Sequence, residues 1–162
     1  LLLTGGGHAM AAGFSLAADR AEDFHAALNA QLSTALALPK QDALKLDGIM
    51  TLAGASIAVA DQLARLEPFG PGNEEPVLAI SNVRCVKSER IGKDGNTLRV
   101  ILQGEDGNTR LRGLVFRAGD KPFAPLLEDR SMPLLHVAGT LRAETWQERK
   151  NLSFFISDAT AA

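Results

Sequence analysis

The chain has 162 residues, enough for one ordinary domain or two small ones, and 46% of them are apolar against 22% charged, the balance of a globular protein. No apolar run approaches the roughly 18 residues of a membrane span, so we expect a cytoplasmic protein without membrane contact. The single cysteine, Cys85, excludes an intrachain disulfide and a cysteine zinc cluster.

The net charge of −2 is unevenly distributed along the sequence. Residues 1–76 carry four Lys/Arg against nine Asp/Glu, whereas residues 77–162 carry thirteen against ten. A basic second half suits a polyanionic partner, although an ordinary solvated surface has a similar balance.

The chain opens on three leucines, three glycines and His8. We interpret the leucines as a buried strand that starts upstream, and we therefore expect a larger N-terminal part. The glycines are predicted to form a loop whose amides approach a ligand, and the small residues after His8 to begin a helix. Such amides favour phosphate, and His8 can add a hydrogen bond. A purely structural turn remains the alternative.

Two helices and one short strand are predicted before residue 67. Asp19 and Glu22 resemble a capping box, and Phe24, Leu28, Leu32 and Leu36 recur every four residues, so a helix should span residues 20–37 and end before Pro39. Residues 44–50 indicate a short strand and residues 51–66 a second helix. The Pro- and Gly-rich stretch 67–76 excludes regular structure and indicates a boundary.

Beyond this boundary the apolar period changes from 3.6 to 2. Five runs alternate as strands do, at residues 77–86, 98–102, 111–116, 134–141 and 152–156, with room for one short helix within residues 122–129. Five strands with an insertion after the third match the oligonucleotide/oligosaccharide-binding (OB) barrel, and another small β-barrel is the alternative. We predict an α+β segment over residues 1–66, a connector over 67–76 and an all-β five-stranded barrel over 77–159.

The positions that would bind a strand on such a barrel are rich in cations. We expect phosphate contacts from the first loop, from strands two and three, and from the last loop, at Lys87, Arg90, Lys93, Arg99, Arg110, Arg112, Arg142, Arg149 and Lys150. Trp146 is predicted to stack on a base. Solubilising arginines and a Trp packed over the barrel end are the alternatives. Phe116, Phe154, Phe155 and Cys85 are interpreted as core residues.

Three segments carry a resemblance to a known family. Residues 6–13, GGHAMAAG, resemble the signature of the associated domain of DHH phosphoesterases in its RecJ form. Residues 66–76, LEPFGPGNEEP, resemble the LxPFGxGNxxP connector of RecJ, and residues 146–158 resemble its final strand, although Ser153 stands where the family often has Gln. All three occur in the family's order, so the chain resembles the C-terminal part of RecJ-type exonucleases.

This resemblance implies an enzyme that degrades single-stranded DNA from its 5′ end with Mg²⁺ or Mn²⁺. The family holds its metals in an N-terminal domain with an Asp-His-His motif, which this sequence lacks, so the chain alone should be inactive and provide no metal ligand. Gly6, Gly7 and His8 would hold the scissile phosphate, with His8 as a catalytic contact that stabilises the transition state. His25 and His136 are expected to be structural.

The implied partners are single-stranded DNA and, in DNA repair and recombination, a single-strand-binding protein and a helicase, with the chain a monomer. Three other functions stay open. A free-standing single-strand-binding module would not require the glycine-histidine segment. Another DHH phosphoesterase acting on short oligonucleotides or cyclic dinucleotides, or the related domain of alanyl-tRNA synthetase, would not require the barrel. A protein-docking barrel would not require the cations.

Overall fold

A computed structural model describes residues 2–8, 11–36 and 43–162, without the side chains of residues 34–36 and 146. The chain divides into two units, Leu1–Leu44 and Lys45–Ala162. In the first unit, strand β1 (Leu2–His8) pairs antiparallel with β2 (Ala11–Leu16), and a 3-10 turn leads into helix α1 (Ala21–Leu36). The helix predicted over residues 20–37 is thus confirmed as far as residue 36; residue 37 and Pro39 lie outside the described residues.

The predicted glycine loop and helix start are wrong in the described residues. Gly5, Gly6 and Gly7 lie within β1, and Ala11–Gly13 belong to β2 rather than to a helix; Ala9 and Met10 lie outside the described residues. A Cβ atom on Gly7 would come within 2.7 Å of the Ala12 Cβ atom, so the close approach of the two strands requires glycine there.

The strand predicted at the leucines is present as the start of β1, but the described residues do not bury it. Leu2 is 48% and Leu3 71% exposed. A two-stranded hairpin provides too little partner surface to bury its own apolar side chains.

The second unit contains six strands and two helices. They are β3 (Gly48–Met50), α2 (Ile57–Ala64), β4 (Leu78–Ile91), β5 (Thr97–Gln103), β6 (Arg110–Phe116), α3 (Ala124–Glu128), β7 (Leu135–Trp146) and β8 (Arg149–Ala161). Each of the five predicted β runs falls on one of these strands, which confirms them, although β4, β7 and β8 are longer than predicted. The helix predicted over residues 51–66 is confirmed only in part, because α2 spans Ile57–Ala64 and a 3-10 turn spans Leu52–Gly54. The short helix expected within residues 122–129 is α3.

The strands from β4 onward close into an OB barrel. The sheet order is β3-β4-β5-β6-β8-β7, and β7 also pairs with the first half of β4, which closes the ring. The closure is uneven, because the parallel β6–β8 seam contains only the pairs Gly113↔Phe154 and Leu114↔Phe155. Alternate residues such as Leu98, Val100 and Leu102 of β5 are fully buried in the barrel core.

The predicted boundary at residue 66 differs from the division of the structure. β3 pairs in parallel with β4, and Leu52 and Ala60 are buried in the same core as the barrel strands. The backbone amide of Asp47 also donates to the Val77 carbonyl oxygen at 2.8 Å. Residues 45–66 therefore pack with the barrel, because their apolar side chains complete its core.

The connector at residues 67–76 is ordered by its own hydrogen bonds. Gly70 and Asn73 exchange backbone hydrogen bonds of 2.9 and 3.0 Å. The Asn73 side-chain amide donates to the carbonyl oxygens of Leu66 and Pro68, each at 2.9 Å. The absence of regular structure predicted for these residues is confirmed, and the segment lies inside the second unit.

Gly139 should be essential for the pairing of β7 with β8. A Cβ atom at this position would overlap the Phe155 carbonyl oxygen, whereas one on Gly70 would meet nothing within 4 Å. We expect Gly139→Ala to lower the free energy of unfolding by about 1–3 kcal/mol or more, and Gly70→Ala to change it little. Urea denaturation of both variants measures this; equal midpoints would contradict the close approach.

The buried Cys85 thiol should make stability depend on pH in alkaline solution. Burial raises its pKa from 9.0 to about 11, and Cys85 is only 5% exposed. Between these pH values the unfolded chain releases the thiol proton and the folded chain keeps it, so unfolding becomes easier as the pH rises above 9, by up to about 1.4 kcal/mol per pH unit. Below pH 9 the thiol has no effect. The Cys85→Ala variant should lack this part of the slope in denaturation curves measured across the window.

Candidate nucleic-acid interface

The pairing register of β4, β5 and β6 determines which side chains point away from the barrel core. Leu98, Val100 and Leu102 face the core, so the residues between them face outward. We define the outer face as the outward-pointing residues of these three strands that the register aligns: Arg84, Lys87, Glu89, Ile91, Thr97, Arg99, Ile101, Gln103, Arg110, Arg112, Leu114 and Phe116.

A groove of about 360 Å³ lies between the outer face and the β7–β8 hairpin. Its lining residues are Ile91, Arg99, Arg112, Leu114, Glu144 and Asn151. The volume falls within the roughly 300–1,000 Å³ usual for small-ligand sites. The groove therefore combines two cations and two apolar side chains with a polar wall from the hairpin.

Arg112 is the most firmly positioned cation of the groove. Its Nε and Nη2 atoms donate to the Ser153 hydroxyl at 2.9 and 2.5 Å, and Ser153 is fully buried. A guanidinium has five N–H donors, so three remain after these two bonds. Because a hydroxyl orients Arg112 without neutralising it, this side chain is suited to bind an anion.

The second groove cation, Arg99, is already paired. Its Nη2 atom lies 2.7 Å from the Glu89 carboxylate, and this hydrogen bond holds the pKa of Glu89 below its ordinary value. Both side chains are more than 40% exposed. Such a surface pair is weak, so a phosphate group can replace the carboxylate at little cost.

Arg90, predicted as a phosphate contact in the first loop, lies within β4 and on the side of the strand opposite to the outer face. The register pairs it with the buried Leu98, and its guanidinium makes two hydrogen bonds of 2.8 and 2.7 Å to Glu128 of α3. This bidentate pair lowers the pKa of Glu128 and raises that of Arg90. Arg90 therefore joins α3 to the barrel rather than lining the groove.

Two cations of the β7–β8 hairpin are paired with acids that precede the barrel in the sequence. Arg142 makes a bidentate ion pair with Glu75, whose hydrogen bonds raise the Arg142 pKa, and Lys150 lies 2.6 Å from Asp61. Among the described side chains the other predicted cations make no ion pair; these are Lys87, Lys93, Arg110 and Arg149. The side chain of Trp146 lies outside the described residues, and its stacking stays a prediction.

Two aromatic residues assigned to the core from the sequence are accessible instead. Phe116 is 55% exposed and stacks on the half-buried Phe155, with 5.8 Å between ring centroids, while Phe154 is fully buried as predicted. The Arg142 guanidinium lies 5.0 Å from the Phe155 centroid. The signal was present in the sequence, because Phe116 follows the inward Val115 and only one of two adjacent phenylalanines can face the core. Exposed aromatic rings beside cations suit base stacking.

The predicted phosphate contacts Gly6, Gly7 and His8 all lie in the first unit, on β1, and His8 is exposed. His25 contacts Asn29 on α1. His136 Nδ1 accepts a hydrogen bond of 3.3 Å from the backbone amide of Asn82, which is a structural role.

Within residues 2–8, 11–36 and 43–162, no three His, Cys, Asp or Glu side chains converge as a metal ion requires, so these residues do not fit the implied metal site. None of the described helices has the length and apolar character to cross a membrane.

Comparisons with known proteins support the OB fold of the second unit. A family model described as the RecJ OB domain matches residues 46–158. The single-stranded-DNA-specific exonuclease RecJ of Bacillus subtilis is 25% identical over 97% of this chain and 19% of its own length. Crystal structures of Thermus thermophilus RecJ with Mn²⁺ and with Mg²⁺ cover the whole chain at TM-scores of 0.71 and 0.68 and identities of 26% and 25%, and 22% and 23% of those chains are matched. The chain thus spans about a fifth of the length of these relatives.

Proposed function

Because this chain belongs to the RecJ OB domain family, we propose that it holds single-stranded DNA for a RecJ-type 5′-to-3′ exonuclease. The observation that supports this most directly is the groove, where the anchored Arg112 and the exchangeable Arg99 lie beside apolar surface. Phosphates would bind the arginines, and bases would contact Leu114, Phe116 and neighbouring apolar surface. The setting we infer is DNA repair and recombination, where a single-strand-binding protein and a helicase would be partners.

The cutting chemistry is assigned to residues outside this chain. The Thermus thermophilus RecJ structures are complexes with Mn²⁺ and Mg²⁺, and the described residues here hold no cluster that fits such an ion. Two-metal hydrolysis needs several ligands converging on both ions. In this proposal the barrel therefore binds single-stranded DNA, and a metal-binding part of the full-length protein catalyses hydrolysis.

Arg99 and Arg90 offer a matched test of DNA binding. Each makes an ion pair with one carboxylate, so replacing either by Gln removes one cation and frees one acid. We expect Arg99→Gln to weaken binding of oligo-dT several-fold and to reduce the salt slope of log affinity by about 0.7, whereas Arg90→Gln leaves both close to the parent values. Fluorescence anisotropy across a salt series measures this. Salt-insensitive binding, or equal losses in both variants, would contradict the proposed face.

The Gly6-Gly7-His8 segment belongs to the same proposal as a contact for the scissile phosphate. Its support is the exposed position of His8 on β1 and the match of the family motif at residues 6–13. An imidazole that donates to developing negative charge lowers the barrier without binding a metal ion.

In the full-length protein, His8→Ala should therefore reduce kcat at least tenfold and leave the concentration of Mn²⁺ needed for half-maximal activity unchanged. His25→Ala is the matched control, because His25 is an exposed histidine whose hydrogen bond, among the described side chains, is to Asn29 in its own helix. Steady-state nuclease assays at varied Mn²⁺ measure both. A fully active His8→Ala enzyme would remove this residue from the site.

A further inference from the structure

An acid lines the groove in which a polyanion is proposed to bind. Glu144 of β7 is exposed, and with Asn151 it forms the hairpin wall facing the two arginines. The two residues lie directly opposite each other in the β7–β8 pairing. Among the described side chains Glu144 makes no ion pair, so holding a neighbouring cation does not account for its place.

A carboxylate at this place costs affinity if phosphates pass close to it, because like charges repel. It contributes affinity only where it faces the base edge of a nucleotide. An ionised carboxylate only accepts hydrogen bonds. The Asn151 amide donates one of its two N–H groups to the Arg149 carbonyl oxygen at 3.3 Å, and its amide oxygen remains an acceptor. The hairpin wall of the groove therefore offers two acceptor groups, the Glu144 carboxylate and the Asn151 amide oxygen, beside one remaining N–H of Asn151.

Acceptors select bases that carry exocyclic amino groups. Cytosine has an amino group at the position where thymine has a carbonyl oxygen, and acidic side chains recognise cytosine through that amino group. A thymine in the same place would direct an oxygen atom at the Glu144 carboxylate. The two pyrimidines have rings of the same size, so the apolar surface of Ile91 and Leu114 should not distinguish them.

We propose that the groove is a base-discriminating subsite, in which Arg112 binds a phosphate while Glu144 and Asn151 accept hydrogen bonds from the amino group of one base, with cytosine preferred over thymine. This inference rests on the proposed function, since it names the preference of the same groove. The two walls of the groove would have different roles: the arginines would bind the phosphate backbone of the DNA, and Glu144 and Asn151 would contact one base edge.

The test compares short oligo-dC and oligo-dT of equal length by fluorescence anisotropy at neutral pH. We expect the parent chain to bind oligo-dC about threefold to tenfold more tightly. Glu144→Gln should bring this ratio close to one and raise the affinity for oligo-dT, because the Gln amide can donate to the thymine oxygen and the repulsion is gone.

Glu148→Gln is the matched control, because it removes the same charge from the exposed tip of the same hairpin, outside the groove lining. It should raise both affinities alike and keep the parent ratio. Equal binding of the two oligomers by the parent chain would overturn the subsite and leave the proposed function standing. A Glu144→Gln variant that behaves like Glu148→Gln would also overturn it. Absence of binding to either oligomer would defeat the proposed function itself.

Discussion

The alternation of side chains around a closed barrel is the constraint on which the other features of this protein depend. Because β4 pairs with both β5 and β7, the sheet has an inside and an outside, and each residue is assigned to one of them by its position in the pairing. The inside is filled by fully buried aliphatic residues. A shift of one residue would exchange the two sides, so the packing of the core also fixes the composition of the outer face.

Ion pairing determines which cations of the second unit are available to bind phosphate. Arg99 and Arg142 each have a carboxylate partner on the exposed surface, and Arg90 has one on α3. Surface pairs of this kind contribute little to stability, so they keep arginines ordered and soluble while permitting exchange for phosphate. Arg112 differs, because a buried hydroxyl holds it instead of an acid. An interface built this way should bind moderately and respond strongly to salt.

Much of the fold followed from the sequence, because period-two alternation and turn residues are local signals. The five β runs and the helix starting near residue 20 needed no knowledge of distant partners. The packing of residues 45–66 against the barrel could not be predicted locally, because an apolar helix face does not indicate which surface it will cover. The prediction of a loop at glycines 5–7 failed for a related reason. A strand accommodates glycine where a partner strand approaches closely, and the pairing of β1 with β2 cannot be recognised from the glycines alone.

The candidate site was predicted less completely than the fold, since a charge is visible in a sequence and its partner is not. Arg142 and Glu75 are 67 residues apart, and Lys150 and Asp61 are 89 apart, so no local pattern links them. Alternation places the exposed Phe116 and the half-buried Phe155 outside the core, but phenylalanine's frequent burial outweighed that signal in the prediction.

Ser153 positions a cation of the outer face. It is fully buried, and its hydroxyl oxygen accepts both hydrogen bonds from the Arg112 guanidinium, so it orients Arg112 in the groove. The position of Arg112 therefore depends on a short buried side chain of β8 and not on a neighbouring acid. In the proposed function, a change at Ser153 that releases Arg112 would alter the groove without altering the charge of the outer face.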